Sequence, residues 1–182
     1  MASHLNSGNP GINIGGDPLD GSYRYKMPQM VVQYQGNSTI LPNIGDVAKA
    51  LRVQPQWLVQ YFTYRFGLRG KYDAKPKVAT LVGQIGEADV RRYGDQFIAQ
   101  FVLCPECGLP ETQLCPGNNK VKIDCDACGH NSKLVLTSKG DQASLDKMVK
   151  YFCSQSMQIE AAASAAKKDA KRAAKINCQL RC

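Results

Sequence analysis

Four of the eight cysteines form two CxxC pairs whose spacing suits a metal site. The pairs are CPEC, with Cys104 and Cys107, and CDAC, with Cys125 and Cys128, and seventeen residues separate them. In zinc sites of this spacing, each pair forms a tight loop and a β-hairpin brings the two loops face to face. Because all four ligands are thiolates of the protein, no position is left for water. The sequence therefore predicts a structural zinc ion rather than a catalytic one.

A dithiol redox site is the alternative interpretation of a CxxC pair. Redox pairs stand before a helix in a βαβ unit and normally occur singly, so two pairs favour zinc. Cys115 and His130 lie near the pairs but lack the ligand spacing, and we expect neither to bind the metal. Cys153, Cys178 and Cys182 are expected to be reduced thiols.

A second group of candidate residues follows the N-terminal segment. Tyr23, Arg24, Tyr25 and Lys26 alternate aromatic rings with positive charges. The preceding chain is rich in glycine and short polar residues without a hydrophobic period, so residues 1–22 are predicted to be a flexible arm. From the residues alone, the ordinary interpretation is that Arg24 caps or stacks on the first strand.

The motifs of common enzymes are missing from the sequence. It contains no GxxxxGK[ST] and no GxGxxG that opens a helix, so the chain lacks its own phosphate-binding loop. Its two histidines, His4 and His130, offer almost nothing to a histidine-activated nucleophile. We therefore expect a binding module or a regulator, not a freestanding enzyme.

Residues 23–98 are predicted to form an α+β sandwich of order β-β-α-α-β-α. The runs MVVQYQ and STILPN surround a turn at Gly36 and predict a hairpin. Asp46 is expected to cap a first helix, and Pro55 to begin a second. KVATLVG suggests a strand, and a helical period follows Glu87. Five aromatic residues are expected to pack in the core: Trp57, Tyr61, Phe62, Tyr93 and Phe97.

The rest of the chain divides into a ribbon and a tail. Residues 99–137 combine the cysteine pairs with the short strand candidates FVL, KVKID and KLVLT, which predicts a zinc ribbon with four cysteine ligands. Residues 138–182 favour a helix that docks early and protrudes late. The formal charge is +8, and six basic residues with one acidic residue lie within residues 161–182. This basic tail favours RNA or an acidic protein surface as a partner, although a solvated helix is an equal alternative.

Two features of the sequence bear on where in the cell the protein is found. No apolar run approaches the roughly 20 residues that span a bilayer. The first residues, MASHLNSGNP, lack the basic and apolar regions of a secretory signal. We therefore expect a cytoplasmic protein without a membrane partner.

Four motifs give a family resemblance. YRYKMP, DVAKAL, FVLCPECGLPET and CDACG follow one another in this order. Together they resemble the N-terminal region of eukaryotic translation initiation factor 5, from about residue 20 to about residue 155. The beta subunit of initiation factor 2 shares the α/β and zinc-ribbon architecture but not YRYKMP. The resemblance also implies an α/β part similar to initiation factor 1.

The resemblance implies a specific role. Family members activate, in trans, GTP hydrolysis by initiation factor 2 that carries initiator tRNA on the small ribosomal subunit at the start codon. Their essential arginine corresponds to Arg24, an arginine finger for the partner GTPase. The implied partners are the gamma and beta subunits of initiation factor 2, initiator tRNA, the small subunit and other initiation factors. Ser38 and Gln60 depart from the family pattern, which has lysines there.

The alternative is a non-catalytic subunit that binds RNA or assembles complexes, like the beta subunit of initiation factor 2. In either case the candidate contacts to a partner or to RNA are Tyr23, Tyr25 and Lys26 beside Arg24, and Lys167, Lys168, Lys171 and Arg172 in the tail.

Overall fold

Short strands and helices make up the described part of the chain, which in a computed structural model comprises residues 11–117, 120–134 and 142–155. The strands are β1 (Ile12–Asn13), β2 (Lys26–Met27), β3 (Gln33–Gln35), β4 (Ser38–Leu41), β5 (Gly70–Asp73), β6 (Val78–Val82), β7 (Thr112–Gly117), β8 (Lys120–Cys125) and β9 (Asn131–Lys133). The helices are α1 (Ile44–Ala50), α2 (Pro55–Phe66), α3 (Glu87–Phe101) and α4 (residues 142–155). The protein is therefore of mixed α+β class.

The central sheet has the strand order β3-β4-β6-β5, with every neighbouring pair antiparallel. The predicted turn between β3 and β4 is present, and Gly36 adopts φ 59°, a left-handed conformation that glycine tolerates. Helix α2 begins with Pro55 and ends before Gly67 at φ 64°. Proline fits the first turn because its missing N–H has no partner there in any case, and glycine fits the left-handed C-terminal position.

Two predictions for this region are wrong. Strand β5 was not expected, so the order from β3 to α3 is β-β-α-α-β-β-α. This strand is held by pairing with β6, in which Lys71 faces Thr80. Helix α1 begins at Ile44 after Asn43, not after Asp46, which lies in the first turn. The Asn43 side chain bonds the amide of Val31 and the carbonyl of Gln29. It therefore ties the helix start to the chain before β3.

The core is built from the predicted aromatic residues. Tyr61, Phe62 and Phe97 are at most 1% exposed, and Trp57 and Tyr93 pack against them while half-buried. The prediction of a packing role for these five side chains is confirmed.

The N-terminal segment differs from the predicted flexible arm wherever it is described. Strand β1 pairs with β2, and Ile14 is 2% exposed within the core. The Asn13 side-chain amide donates to the carbonyls of Asp17 (2.7 Å) and Asp20 (2.9 Å), closing a turn over residues 13–20. This segment has no hydrophobic period in its sequence. It is stabilised by the burial of Ile14 and by the two hydrogen bonds of the Asn13 side chain.

Helix α4 packs on the same core. Leu145, Met148 and Phe152 are fully buried, as predicted for the early part of the tail. The FVL segment, predicted as a strand, instead begins with the last residue of α3, a helix that crosses the predicted boundary at residue 98. Residues 156–182, with the predicted protruding helix and its basic contacts, lie outside the described residues. Among the described helices, none has the length and apolar character to span a bilayer.

Candidate metal centre and arginine segment

The two CxxC pairs lie in loops of the same construction. The amide of Gly108 donates to the carbonyl of Cys104 (2.9 Å), and the amide of Gly129 donates likewise to Cys125 (2.9 Å). Each first cysteine then donates its own amide to the carbonyl five residues later, on Leu109 or His130. Gly108 and Gly129 have φ 69° and 73°. The glycine after each pair thus permits the left-handed turn that closes the loop.

Strands β7, β8 and β9 bring these loops together. They form a three-stranded antiparallel sheet in which β7 and β8 are the arms of a hairpin between the pairs. We refer to residues 104–117 and 120–134 as the cysteine ribbon. As predicted, the hairpin connects the two loops.

The four sulfur atoms form a cage of metal-binding size. All lie within 4.8 Å of one another. Cys104 and Cys128 are 3.7 Å apart at Sγ, as are Cys107 and Cys125. A tetrahedral ion with metal–sulfur bonds of about 2.3 Å requires edges of about 3.8 Å. The predicted ligand set is therefore one that fits a metal ion.

The thiols influence one another electrostatically. Burial raises the pKa of the Cys104 thiol, but hydrogen bonds from the Cys107 and Glu106 amides and from Cys128 outweigh it and bring that pKa to about 7. The His130 amide lowers the pKa of Cys128, but desolvation and the other three thiols raise it to about 12. Four thiols this close resist full ionisation, and a bound cation would compensate the charge and release protons.

Among the described residues, Cys115, Cys153 and His130 lie outside the cage. Cys115 is exposed on β7, and Cys153 is buried in α4. A ring nitrogen of His130 is 2.8 Å from the Ser132 hydroxyl. Cys178 and Cys182 lie outside the described residues.

Arg24 lies between the turn over residues 13–20 and strand β2. It is exposed, with its guanidinium carbon 4.9 Å from the centre of the Tyr25 ring. Tyr23 packs edge-on against Tyr25 at 5.7 Å and donates its hydroxyl to the Ile14 carbonyl (3.1 Å). Lys26 donates to the Gly21 carbonyl (2.7 Å). The arginine therefore stacks on its neighbour, while the rings beside it make internal contacts.

Tyr25 also connects this segment to the cysteine ribbon. Its hydroxyl donates a hydrogen bond to the carboxylate of Glu111, 86 residues away in the chain. This bond is the main cause that raises the pKa of the Tyr25 phenol, and desolvation is the second. The phenol therefore stays a protonated donor at neutral pH. Sequence reasoning missed Glu111, because a single acidic residue after a CxxC pair carries no local signal of a partner so distant.

The turn before Arg24 makes a second contact with the ribbon. Gly15, at φ 73°, approaches so closely that a Cβ there would lie 2.9 Å from Leu103 and 3.2 Å from the Gly108 carbonyl. The structure thus brings together two sets of residues that the sequence placed in separate parts, the arginine segment and the metal cage. Ser38 lies in β4 and Gln60 in α2, outside this contact.

Comparison with known proteins identifies relatives of this chain. Residues 17–131 match the family described as a domain found in initiation factors 2B and 5. The chain is 33% identical over 132 residues to eukaryotic translation initiation factor 5 of Caenorhabditis elegans, which covers 70% of this chain and 30% of that protein. It is 35% identical over 129 residues to the factor of the same name from Mus musculus, with 68% and 30% covered.

A fungal relative shows a similar identity and coverage. The probable eukaryotic translation initiation factor 5 of Schizosaccharomyces pombe is 33% identical over 125 residues, with 65% of this chain and 32% of that protein covered. The chain thus spans about a third of the length of these curated relatives.

Proposed function

Because this chain belongs to the family described as a domain found in initiation factors 2B and 5, we propose that it is a translation initiation factor that stimulates GTP hydrolysis by initiation factor 2. The reaction takes place in the cytoplasm, in the complex of that GTPase with initiator tRNA on the small ribosomal subunit at start-codon recognition. The chain is not itself the enzyme. It acts in trans on the gamma subunit, with contacts to the beta subunit and to other initiation factors.

The observation that carries this proposal is the exposure of Arg24 directly after an ordered turn. As the γ-phosphate is cleaved, negative charge spreads over the phosphoryl oxygens, and a cation supplied by a partner stabilises it. Guanidinium suits this task because it keeps its charge and offers a planar fork of donors. The Tyr25 ring lies against one face of the guanidinium, and the side chain remains exposed.

The turn before Arg24 changes how we expect the arginine to reach the partner GTPase. A flexible arm would supply reach but would lose entropy when it was ordered against the partner. Here the turn is closed by Asn13 and docked through Tyr25, so Arg24 is presented from a surface that is already ordered. An ordered finger lowers the entropy cost of reaching the transition state.

We propose zinc as the metal of the cysteine cage. Four thiolates in tetrahedral arrangement, with no open position, suit a structural zinc ion. When bound, it supplies the energy that fixes the two loops, and the residues that hold it are Cys104, Cys107, Cys125 and Cys128. Its role is to shape the surface beside Arg24.

A single-turnover assay tests the proposed function. Initiation complexes that contain GTP-loaded initiation factor 2 and initiator tRNA are assembled with and without this protein, and phosphate release is followed. We expect the protein to accelerate release at saturating concentration. A rate equal to that of the complex alone, at a protein concentration shown to bind, would contradict the proposal.

The second candidate function, a non-catalytic RNA-binding subunit, has one supporting observation. Lys71, Lys75 and Lys77 are exposed on the β5–β6 hairpin, and Arg69 is exposed directly before it. Such a basic surface contacts phosphates without sequence preference. Tight, salt-sensitive binding to initiation complexes without faster hydrolysis would favour this alternative.

A further inference from the structure

We infer that Glu111 is a positioning residue for Arg24 and that, through Tyr25, the cysteine ribbon controls how the arginine is presented. The inference rests on the proposed function for its catalytic consequence. Its structural part, that Glu111 holds the arginine segment on the ribbon, stands on the contacts alone.

Tyr25 and Glu111 connect the arginine segment to the cysteine ribbon. The phenol donates to a carboxylate, and hydrogen bonds to charged acceptors are stronger than neutral ones. Tyr25 directly follows Arg24, and its ring lies beneath the guanidinium. A fixed phenol therefore fixes the ring, and with it the surface on which Arg24 rests.

Glu111 is itself held by the two cysteine loops. It stands four residues after Cys107, at the end of the first cysteine loop. Its carbonyl accepts a hydrogen bond from the amide of Asp126 (2.8 Å), which lies inside the second loop. Glu111 is thus attached to both cysteine loops. The contacts that bring the four sulfur atoms together therefore also fix the position of its backbone.

Gly15 brings the turn close to the first cysteine loop. Its backbone packs against Leu103 and the Gly108 carbonyl, so the turn that leads to Arg24 meets the first cysteine loop directly. Ile14, next to it, accepts the Tyr23 hydroxyl and donates its amide to the Tyr25 carbonyl (2.8 Å). Arg24 therefore lies between two tyrosines that are each tied to the docked turn.

Trypsin cleavage after Arg24 tests the structural part without any partner protein. Cleavage requires local opening of the segment, and cleavage after Arg65, within α2, reports unfolding of the core. The ratio of the two rates, from mass spectrometry of the products, is compared for wild type, Tyr25→Phe, Glu111→Ala and the double variant. Glu106→Ala, an exposed glutamate in the first loop, is the matched control.

We expect Tyr25→Phe and Glu111→Ala each to raise the ratio by about ten- to a hundredfold, as for the loss of one charge-assisted hydrogen bond. The double variant should match the single variants, because both remove the same contact. Glu111→Gln, which keeps an acceptor oxygen, should fall between wild type and Glu111→Ala. Unchanged ratios in both single variants, or effects that add in the double variant, overturn the inference.

The hydrolysis assay tests the catalytic consequence. Glu111→Ala should lower the rate at saturating protein by about tenfold or more, with the half-saturating concentration unchanged, because it misplaces a group that acts in the transition state. Metal content should stay at the wild-type value. If wild type accelerates hydrolysis and Glu111→Ala does so equally, the inference is wrong and the proposed function stands. If wild type does not accelerate hydrolysis, the proposed function fails, and the cleavage ratios alone decide whether Glu111 holds the segment.

Discussion

The ring of Phe152 lies edge-on against the ring of Trp57, with 4.7 Å between their centres. Phe152 also contacts Phe101, the last residue of α3, at 5.4 Å. Val121 of the cysteine ribbon belongs to the same core cluster as these side chains. Helix α4, the α/β sheet and the ribbon therefore share one core, although the sequence suggested three consecutive units.

This contact makes the only tryptophan of the sequence a probe for α4. Phe152→Ala removes a fully buried ring and should lower the free energy of unfolding by about 3–5 kcal/mol. The Trp57 emission should shift to longer wavelength as water reaches the indole. Urea titration followed by fluorescence measures both. Lys150→Ala, exposed on the same helix, is the control, and an equal effect in the two variants would contradict a shared core.

The cysteine cage predicts one bound zinc ion per chain. Cys104→Ser should lose the metal and destabilise the ribbon, because the small sheet has little apolar core of its own and metal binding contributes to its folding. Cys115→Ser, which changes an exposed cysteine outside the cage, should retain the metal. Elemental analysis and a thermal melt distinguish the variants. Retention of a full metal complement by Cys104→Ser would mean that the cage is not the binding site.

The docking of the N-terminal turn can be tested at two glycines with the same backbone conformation. Gly15 and Gly36 have φ 73° and 59°, so alanine costs about 1–2 kcal/mol at either position. A Cβ at Gly15 also meets Leu103 at 2.9 Å, whereas nothing lies within 4 Å at Gly36. Gly15→Ala should therefore raise trypsin cleavage after Arg24 relative to Arg65, and Gly36→Ala should not. Equal ratios would show that the turn is not docked on the ribbon.

The features that the sequence predicted well are those set by local chemistry. Two CxxC pairs need only their spacing to define a cage, and Pro55 and Gly67 mark the ends of α2 by their own backbone preferences. Likewise, the hairpin around Gly36 follows from a residue suited to a left-handed turn between two β-rich runs.

The features that were missed depend on contacts distant in the chain. Strand β5 is four residues long and acquires its regularity from β6. The turn over residues 13–20 ends within DPLDG (residues 17–21), a run of turn-forming residues that is its local signal. Its docking, however, depends on Ile14 entering the core and on Tyr25 reaching Glu111. No periodicity within twenty residues could reveal such a partner.

The basic tail remains a prediction, since its residues lie outside the described part of the chain. Replacing Lys167, Lys168, Lys171 and Arg172 by alanine should weaken association with small ribosomal subunits or RNA. It should also flatten the dependence on salt, because each phosphate contact releases counterions. Binding measured across a salt series tests this. Identical slopes for wild type and variant would indicate a solvated helix without a nucleic-acid role.

Substitution of Arg24 tests the arginine finger directly. Arg24 is exposed and stacks on Tyr25, so Arg24→Ala should cost the fold about 1 kcal/mol or less. If its guanidinium stabilises the charge that develops on the γ-phosphate, the stimulated rate should fall by about 10³- to 10⁵-fold at saturating protein. Arg24→Lys should also fail, because an ammonium offers a point charge in place of a planar fork.

The matched control is Arg92→Ala, an exposed arginine paired with Asp89 on α3. It removes the same charge from another surface, so net charge alone cannot account for a difference between the two variants. Single-turnover phosphate release is measured at several protein concentrations, which separates weaker binding from a slower chemical step. Arg24→Ala should bind initiation complexes with nearly wild-type affinity and yet leave hydrolysis near the unstimulated rate. Equal saturated rates for Arg24→Ala and wild type would instead make Arg24 a structural residue, held for its contact with the Tyr25 ring.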